Sequence, residues 1–115
     1  MSLWAHFLGD QFVWIGWPLV IAGAWTEACV AATVRDATAH GFRVLLVKDA
    51  CASGTSHMHQ TAILNLANRL AGGAVADTAK TAAILSGVEA PVGRLEHLVP
   101  CRFDATTVSA LYEAL

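Results

Sequence analysis

Charge is scarce in this sequence: Asp, Glu, Lys and Arg make up 14% of its 115 residues, and the net charge is −2 at neutral pH. Lys and Arg are scattered, with no basic run and no aromatic-interleaved stripe, so the footprint of a nucleic-acid binder is missing. Cysteine is also sparse. Cys29, Cys51 and Cys101 form an odd, widely spaced set without a CxxC pair. That excludes a disulfide framework and a cysteine zinc site, and it fits a reducing cytoplasm. No Lys or Arg precedes the apolar stretch from Phe12 to Trp25, Asp10 stands where a positive region belongs, and Pro18 interrupts the segment. The stretch is therefore read neither as a signal peptide nor as a membrane span. A metal centre lacks ligands as well: His6, His40, His57, His59 and His97 are dispersed, and His57 and His59 have no identifiable third partner. No metal or cofactor is expected. Low-complexity tracts and internal repeats are also missing.

What the chain has in quantity is apolar residues, 56% of the total. This is too apolar for a disordered segment, and one domain over residues 1–115 is the ceiling that the length sets. Pro18 to Gly23 is a short continuous apolar run bounded by Pro and Gly, the pattern of a strand buried on both faces. Ala28 to His40 has helical composition with Val30, Val34 and Ala37 on one face, Thr26 as the expected N-cap and Gly41 as the stop. Phe42 to Val47 reads as a second strand. Ser56 is expected to cap a helix running to about Leu70, with Gly72 and Gly73 ending it. Ala74 and Val75 make a brief third strand and Thr78 to Leu85 a short helix. An irregular tail from Ser86 to Pro100 precedes a last helix, capped by Asp104 and running to Leu115. Alternating strands and helices predict an α/β fold: a partial doubly wound, Rossmann-like parallel sheet flanked by helices.

Ligand sites in such sheets lie beyond the carboxyl ends of the strands, which directs attention to Gly23–Cys29. Cys29 falls in the first turn of a helix, where unpaired N–H groups and the helix dipole stabilise a thiolate and are placed to hold an oxyanion. The competing reading is a small buried apolar residue, since free cysteine is among the most buried side chains. Cys51 and Cys101 are read that way, and His59 as structural. Arg35 and Asp36 are read as surface or inter-helix ion pairs. The Gly72-Gly73 pair is too short a glycine pattern for a phosphate loop.

The string VIAGAWTEACVAATVRDATAHGFRVLLVKDACAS, Val20 to Ser53, resembles the nucleophile region of the isochorismatase-like cysteine hydrolases. That family shows an apolar strand, then G-x-x-T-x-x-C-V, an R-D-A-like element, a second strand and D-A-x-A-S. Gly23, Thr26, Cys29 and Val30 match the first element, Arg35, Asp36 and Ala37 the second, and Asp49, Ala50, Ala52 and Ser53 the third. His59 with Ala62 and Ile63 resembles the family's H-x-x-A-[IL] helix start. The likeness covers about residues 19–85, leaving 86–115 as the tail with the terminal helix.

The resemblance implies the isochorismatase-like hydrolase fold and a Cys, Asp, Lys triad whose thiolate attacks an amide or related carbon of a small molecule. Cys29 is then the nucleophile. Ala24, Trp25 and Thr26 form the oxyanion and pocket segment, with a non-proline cis peptide at Ala24-Trp25 and the N–H groups of Trp25 and Cys29 facing the oxyanion. The family's Asp and Lys lie farther upstream of the cysteine than this sequence extends. Asp10 only loosely imitates the aspartate segment and Lys48 matches no family lysine, so neither role is carried over. The expectation is a truncated chain, weakly active or inactive alone, whose exposed apolar sheet edge is covered by association into a homo-oligomer. A non-catalytic oligomerisation or binding module that keeps the fold is the alternative.

Overall fold

The computed structural model describes residues 18–70, 73–87 and 104–115. Three strands, one π-helical turn and four α-helices lie there. The expectations at Asp10, His6, His97, Cys101, Gly72 and most of the 86–100 tail lie outside the described residues.

The apolar run PLVIAGA forms β1 (Pro18–Ala24), but not as a strand buried on both faces: it pairs only with the next strand among the described residues, Ile21 is buried, and Val20 on the opposite face is 41% exposed. A π-helical turn (Thr26–Val30) leads directly into α1 (Ala31–Ala39). Gly41 ends the helix with φ +84°, a left-handed conformation that a side chain disfavours, and the N–H of Phe42 returns to the carbonyl of Ala37 at 3.0 Å. Then follow β2 (Arg43–Ala52), α2 (Ser56–Ala67), β3 (Ala74–Ala76), α3 (Thr78–Leu85) and α4 (Val108–Ala114). The strands lie in the order β1-β2-β3 and both pairings are parallel, which is the α/β architecture expected from the sequence.

Several boundaries differ from the sequence reading. β2 continues to Ala52, well past Val47, because its pairing with β1 slips and resumes: Ile21 lies opposite Leu46, but Gly23 lies opposite Cys51 and Ala24 opposite Ala52. A bulge of this kind re-aims side chains. Here it sends Lys48 into packing beneath α4 and Asp49 to the start of α3. The cap of α2 is Thr55, not Ser56: Thr55 has the extended backbone an N-cap requires, φ −140° and ψ 159°, and its hydroxyl accepts from Met58 N at 3.1 Å. α2 ends at Ala67, short of Leu70, which is nevertheless buried. α3 is capped by Asp77, whose carboxylate accepts from Lys80 N at 2.7 Å. Asp104 does not cap α4. It accepts the N–H groups of Thr106 (2.8 Å) and Thr107 (3.1 Å) in a turn before the helix begins at Val108.

The core explains the low charge content. Val44 and Leu46 of β2 and Val75 of β3 pack with Val30, Val34, Ile63, Leu66, Val108 and Tyr112, so α1, α2 and α4 share one cluster with the sheet. Leu45, Ala74 and Ala76, of opposite parity along their strands, make a second cluster on the other face. A central parallel strand buried on both faces is the condition that calls for an uninterrupted apolar run. Among the described residues no helix is long and apolar enough to cross a membrane.

Candidate functional site

The carboxyl end of β1 delivers the chain to the sheet edge where the sequence placed the chemistry. The Ala24-Trp25 peptide is cis, as the resemblance implied. Trp25 keeps an extended backbone, and its carbonyl accepts from both Ala28 N and Val30 N at 3.1 Å. The second of these bonds spans five residues and opens the turn into a π-helix, a local widening frequently found at functional sites. Cys29 sits in this turn and is exposed, with its carbonyl accepting the Thr33 hydroxyl at 2.8 Å. Among the described residues no side chain hydrogen-bonds to its sulfur.

The neighbours of Cys29 divide by depth. Ala24 is exposed and pairs with Ala52 across the slipped end of the sheet. Trp25 is 52% exposed, and its indole lies on Gly54 of the β2–α2 loop, where an added Cβ would come within 2.9 Å of the ring. Glu27 accepts the Ser53 hydroxyl from the same loop, and that bond holds its carboxyl below the usual range. Thr26 goes the other way. It is fully buried, so it neither caps the helix, a position held by Trp25 without a side-chain bond, nor presents its hydroxyl to a cleft. Its Oγ1 lies 2.8 Å from His59 Nδ1 on α2.

His59, half-buried, continues into a chain of polar groups that ends in buried bonds between Tyr112 and Lys48. Its Nε2 is 3.2 Å from the Tyr112 hydroxyl, which donates to the Lys48 carbonyl at 3.2 Å. Burial pushes the His59 imidazole below its ordinary value, against the opposing pull of the Lys48 carbonyl and the Glu27 carboxylate. Lys48 donates to the Tyr112 carbonyl at 3.0 Å and its ammonium stands 4.7 Å over the Tyr112 ring. Asp49 receives the N–H and the hydroxyl of Thr78, both at 2.7 Å. The charged pair that ends the apolar run of β2 is therefore spent on docking α4 and starting α3. Both ring nitrogens of His59 are engaged, one with Thr26 and one with Tyr112. The part played by Tyr112 was not anticipated, and nothing near it in the sequence signals a partner.

Arg35 reaches Asn65 on α2 at 3.5 Å, and Asp36 pairs with His40 on the surface at 3.5 Å. A groove of ≈ 470 Å³ runs between α1 and α2, lined in part by Glu27, Ala31, Arg35, Met58 and Leu66. Cys29 is not part of its lining. Among the described residues no group of three His, Cys, Asp or Glu is placed to hold a metal ion.

The two described cysteines should differ sharply in reactivity. Cys51 is buried and burial pushes its thiol up, while Cys29 is exposed. Because the thiolate is the reactive form, iodoacetamide at neutral pH should modify Cys29 at least about ten times faster than Cys51, read by peptide mass mapping. Equal labelling would mean that the carboxyl end of β2 opens freely in solution.

A model of the isochorismatase domain family matches residues 18–80. Among solved structures, the chain is similar to an isochorismatase-like hydrolase from Alkaliphilus metalliredigens, at 28% identity and a TM-score of 0.54 over 59% of this chain and 36% of that one. It is also similar to a protein assigned as an isochorismatase from Burkholderia xenovorans LB400, at 27% identity and a TM-score of 0.53 over 68% of this chain and 42% of that one. The chain thus spans less than half the length of either structure. No curated protein matches it.

Proposed function

The chain belongs to the isochorismatase domain family, whose model covers more than half of it, and on that premise we propose that it is a cysteine hydrolase acting on an amide-like C–N bond of a small molecule, with Cys29 as nucleophile. The observation that carries this reading is the exposure of Cys29 in the first turn of a helix that follows directly on the parallel strand β1. Free N–H groups at a helix start and the positive end of the dipole favour a thiolate and the oxyanion that its attack creates. Ala24 and Trp25, exposed beside it, border the place where substrate would sit.

In the reaction proposed, the Cys29 sulfur forms a bond to the carbonyl carbon and the carbonyl π electrons move to oxygen. Collapse of the tetrahedral species breaks the C–N bond, and the nitrogen leaves as the amine carrying the proton that the thiol gave up. Water then attacks the thioester, releasing the carboxylic acid and restoring the thiol. No described side chain is bonded to the Cys29 sulfur as a base, and such assistance is worth about two to four decades in rate. The chain alone is therefore expected to turn over slowly. The reading includes association of copies, supported by β1 being paired on one side only among the described residues. It also includes a reducing compartment, supported by the free thiols of Cys29 and Cys51.

Incubation with a panel of small activated amides and esters, followed by intact-mass and peptide mapping, tests the proposal. A thioester adduct on Cys29 that forms and then decays is the expected result. A Cys29 inert to every probe, with Cys29 still open to iodoacetamide, would favour a binding module that keeps the fold without the chemistry.

A further inference from the structure

The polar chain beneath the π-helical turn, half-buried at His59, has one self-consistent direction. The Lys48 carbonyl can only accept, so the Tyr112 hydroxyl spends its proton there. The Tyr112 oxygen then accepts from His59 in the tautomer that carries the ring proton on Nε2. In the neutral ring this leaves Nδ1 as a bare acceptor, and the Thr26 hydroxyl donates to it. Each bond thus determines the sense of the next, from β2 through α4 and α2 to the residue three places before Cys29.

Geometry gives this chain a mechanical consequence. Thr26 is wholly buried, and it is the only residue of the turn besides Val30 that is buried at all. The remaining turn residues are exposed or half-buried, so from beneath the turn is held by Val30 packed in the core and, through a hydrogen bond, by Thr26. Behind His59, Tyr112 is itself pinned by Lys48, and Ser109 of α4 donates to Gln60 of α2 at 2.8 Å. We infer that His59 is a positioning residue for Cys29: by accepting the Thr26 hydroxyl while donating to Tyr112, it locks the nucleophile-bearing turn to the C-terminal helix. This rests on Cys29 as the nucleophile assigned above. It makes α4, which lies outside the segment matched by the family model, part of the support for the site.

Paired variants test the inference. Asn at position 59 places an amide oxygen near Nδ1 and keeps an acceptor for Thr26, whereas Leu fills the volume without one. Ser at position 26 keeps the hydroxyl, whereas Val keeps only the shape. Acylation of Cys29 by an activated ester should slow about ten-fold in His59→Leu and Thr26→Val, the scale of one lost hydrogen bond. It should stay within about two-fold of the unmodified protein in His59→Asn and Thr26→Ser. General loosening of the fold would not be rescued in this pairwise way. Leu or Val variants that acylate at the original rate, or Asn that rescues no better than Leu, would overturn the inference. If His59→Leu does not fold, the Thr26 pair carries the test by itself. If Cys29 takes no acyl group at all, the nucleophile reading fails separately, and amide hydrogen exchange across residues 26–30 then decides. Faster exchange in Thr26→Val with recovery in Thr26→Ser supports the lock, and unchanged exchange overturns it.

Discussion

Replacing Cys29 by alanine is expected to lower hydrolysis by roughly 10³-fold or more, because the attacking atom itself is removed and no covalent intermediate forms. Stability should hardly change. Cys29 is exposed, its sulfur has no hydrogen-bond partner among the described residues, and alanine suits the first turn of a helix. Melting temperature and rate are thus decoupled in this variant, which separates loss of chemistry from loss of fold. The measurement is turnover of whichever amide or ester gives the Cys29 adduct, with melting followed in parallel. Retention of most of the rate by Cys29→Ala would remove Cys29 from the reaction and leave the family relationship without its proposed chemistry in this chain.

The largest effect on stability is expected at Gly73. A Cβ there would meet the Val44 carbonyl oxygen at 2.3 Å and the Val44 nitrogen at 3.1 Å. Both atoms are backbone of the central strand, so they cannot step aside as the end of a side chain can. Gly73 also donates its N–H to Leu70 at 2.8 Å immediately before β3, which restrains it from the other side. Gly73→Ala therefore has to part β2 from the start of β3 or distort the α2–β3 connection. Overpacking a rigid site of this kind costs about 2 kcal/mol or more, which should appear as a fall in Tm of roughly 10 °C. Gly41 is the informative contrast. Nothing lies within 4 Å of a Cβ built there, and its only demand is the positive φ of a helix stop. An unchanged melting point in Gly73→Ala would show that the connection yields easily, against the close approach seen here.

The same two residues show why sequence reading located some features and not others. Gly41 was legible as a stop because a helix that ends needs a left-handed residue just past it, a demand met within a few residues of chain. Gly73 was read only as a helix breaker. Its actual constraint, the carbonyl of Val44, comes from a strand 29 positions earlier, and no local pattern carries that information. β2 is a similar case: Lys48 and Asp49 end the apolar run, which on local grounds ends the strand. Pairing with β1 nonetheless resumes at Cys51 and Ala52, since the bulge gives the charged pair partners on α4 and α3. Thr26 was expected to cap because threonine before an apolar helical stretch usually does. Its burial against His59 gave the hydroxyl a different partner.

The chain's own order of residues determined its class and its family. The alternation of apolar runs with helical periods required a parallel sheet, and the pattern from Val20 to Ser53 carried the likeness that the family match bears out. It also determined that Cys29 would stand at the start of a helix, since strand ends and helix starts are written in residues a few places apart. Only the tertiary structure decided what holds that helix start in place. Thr26, His59 and Tyr112 are separated by 33 and 53 residues and meet because α2 and α4 pack over one core. Periodicity specifies which face of an element is buried, but which polar groups meet inside depends on how the elements are set against one another.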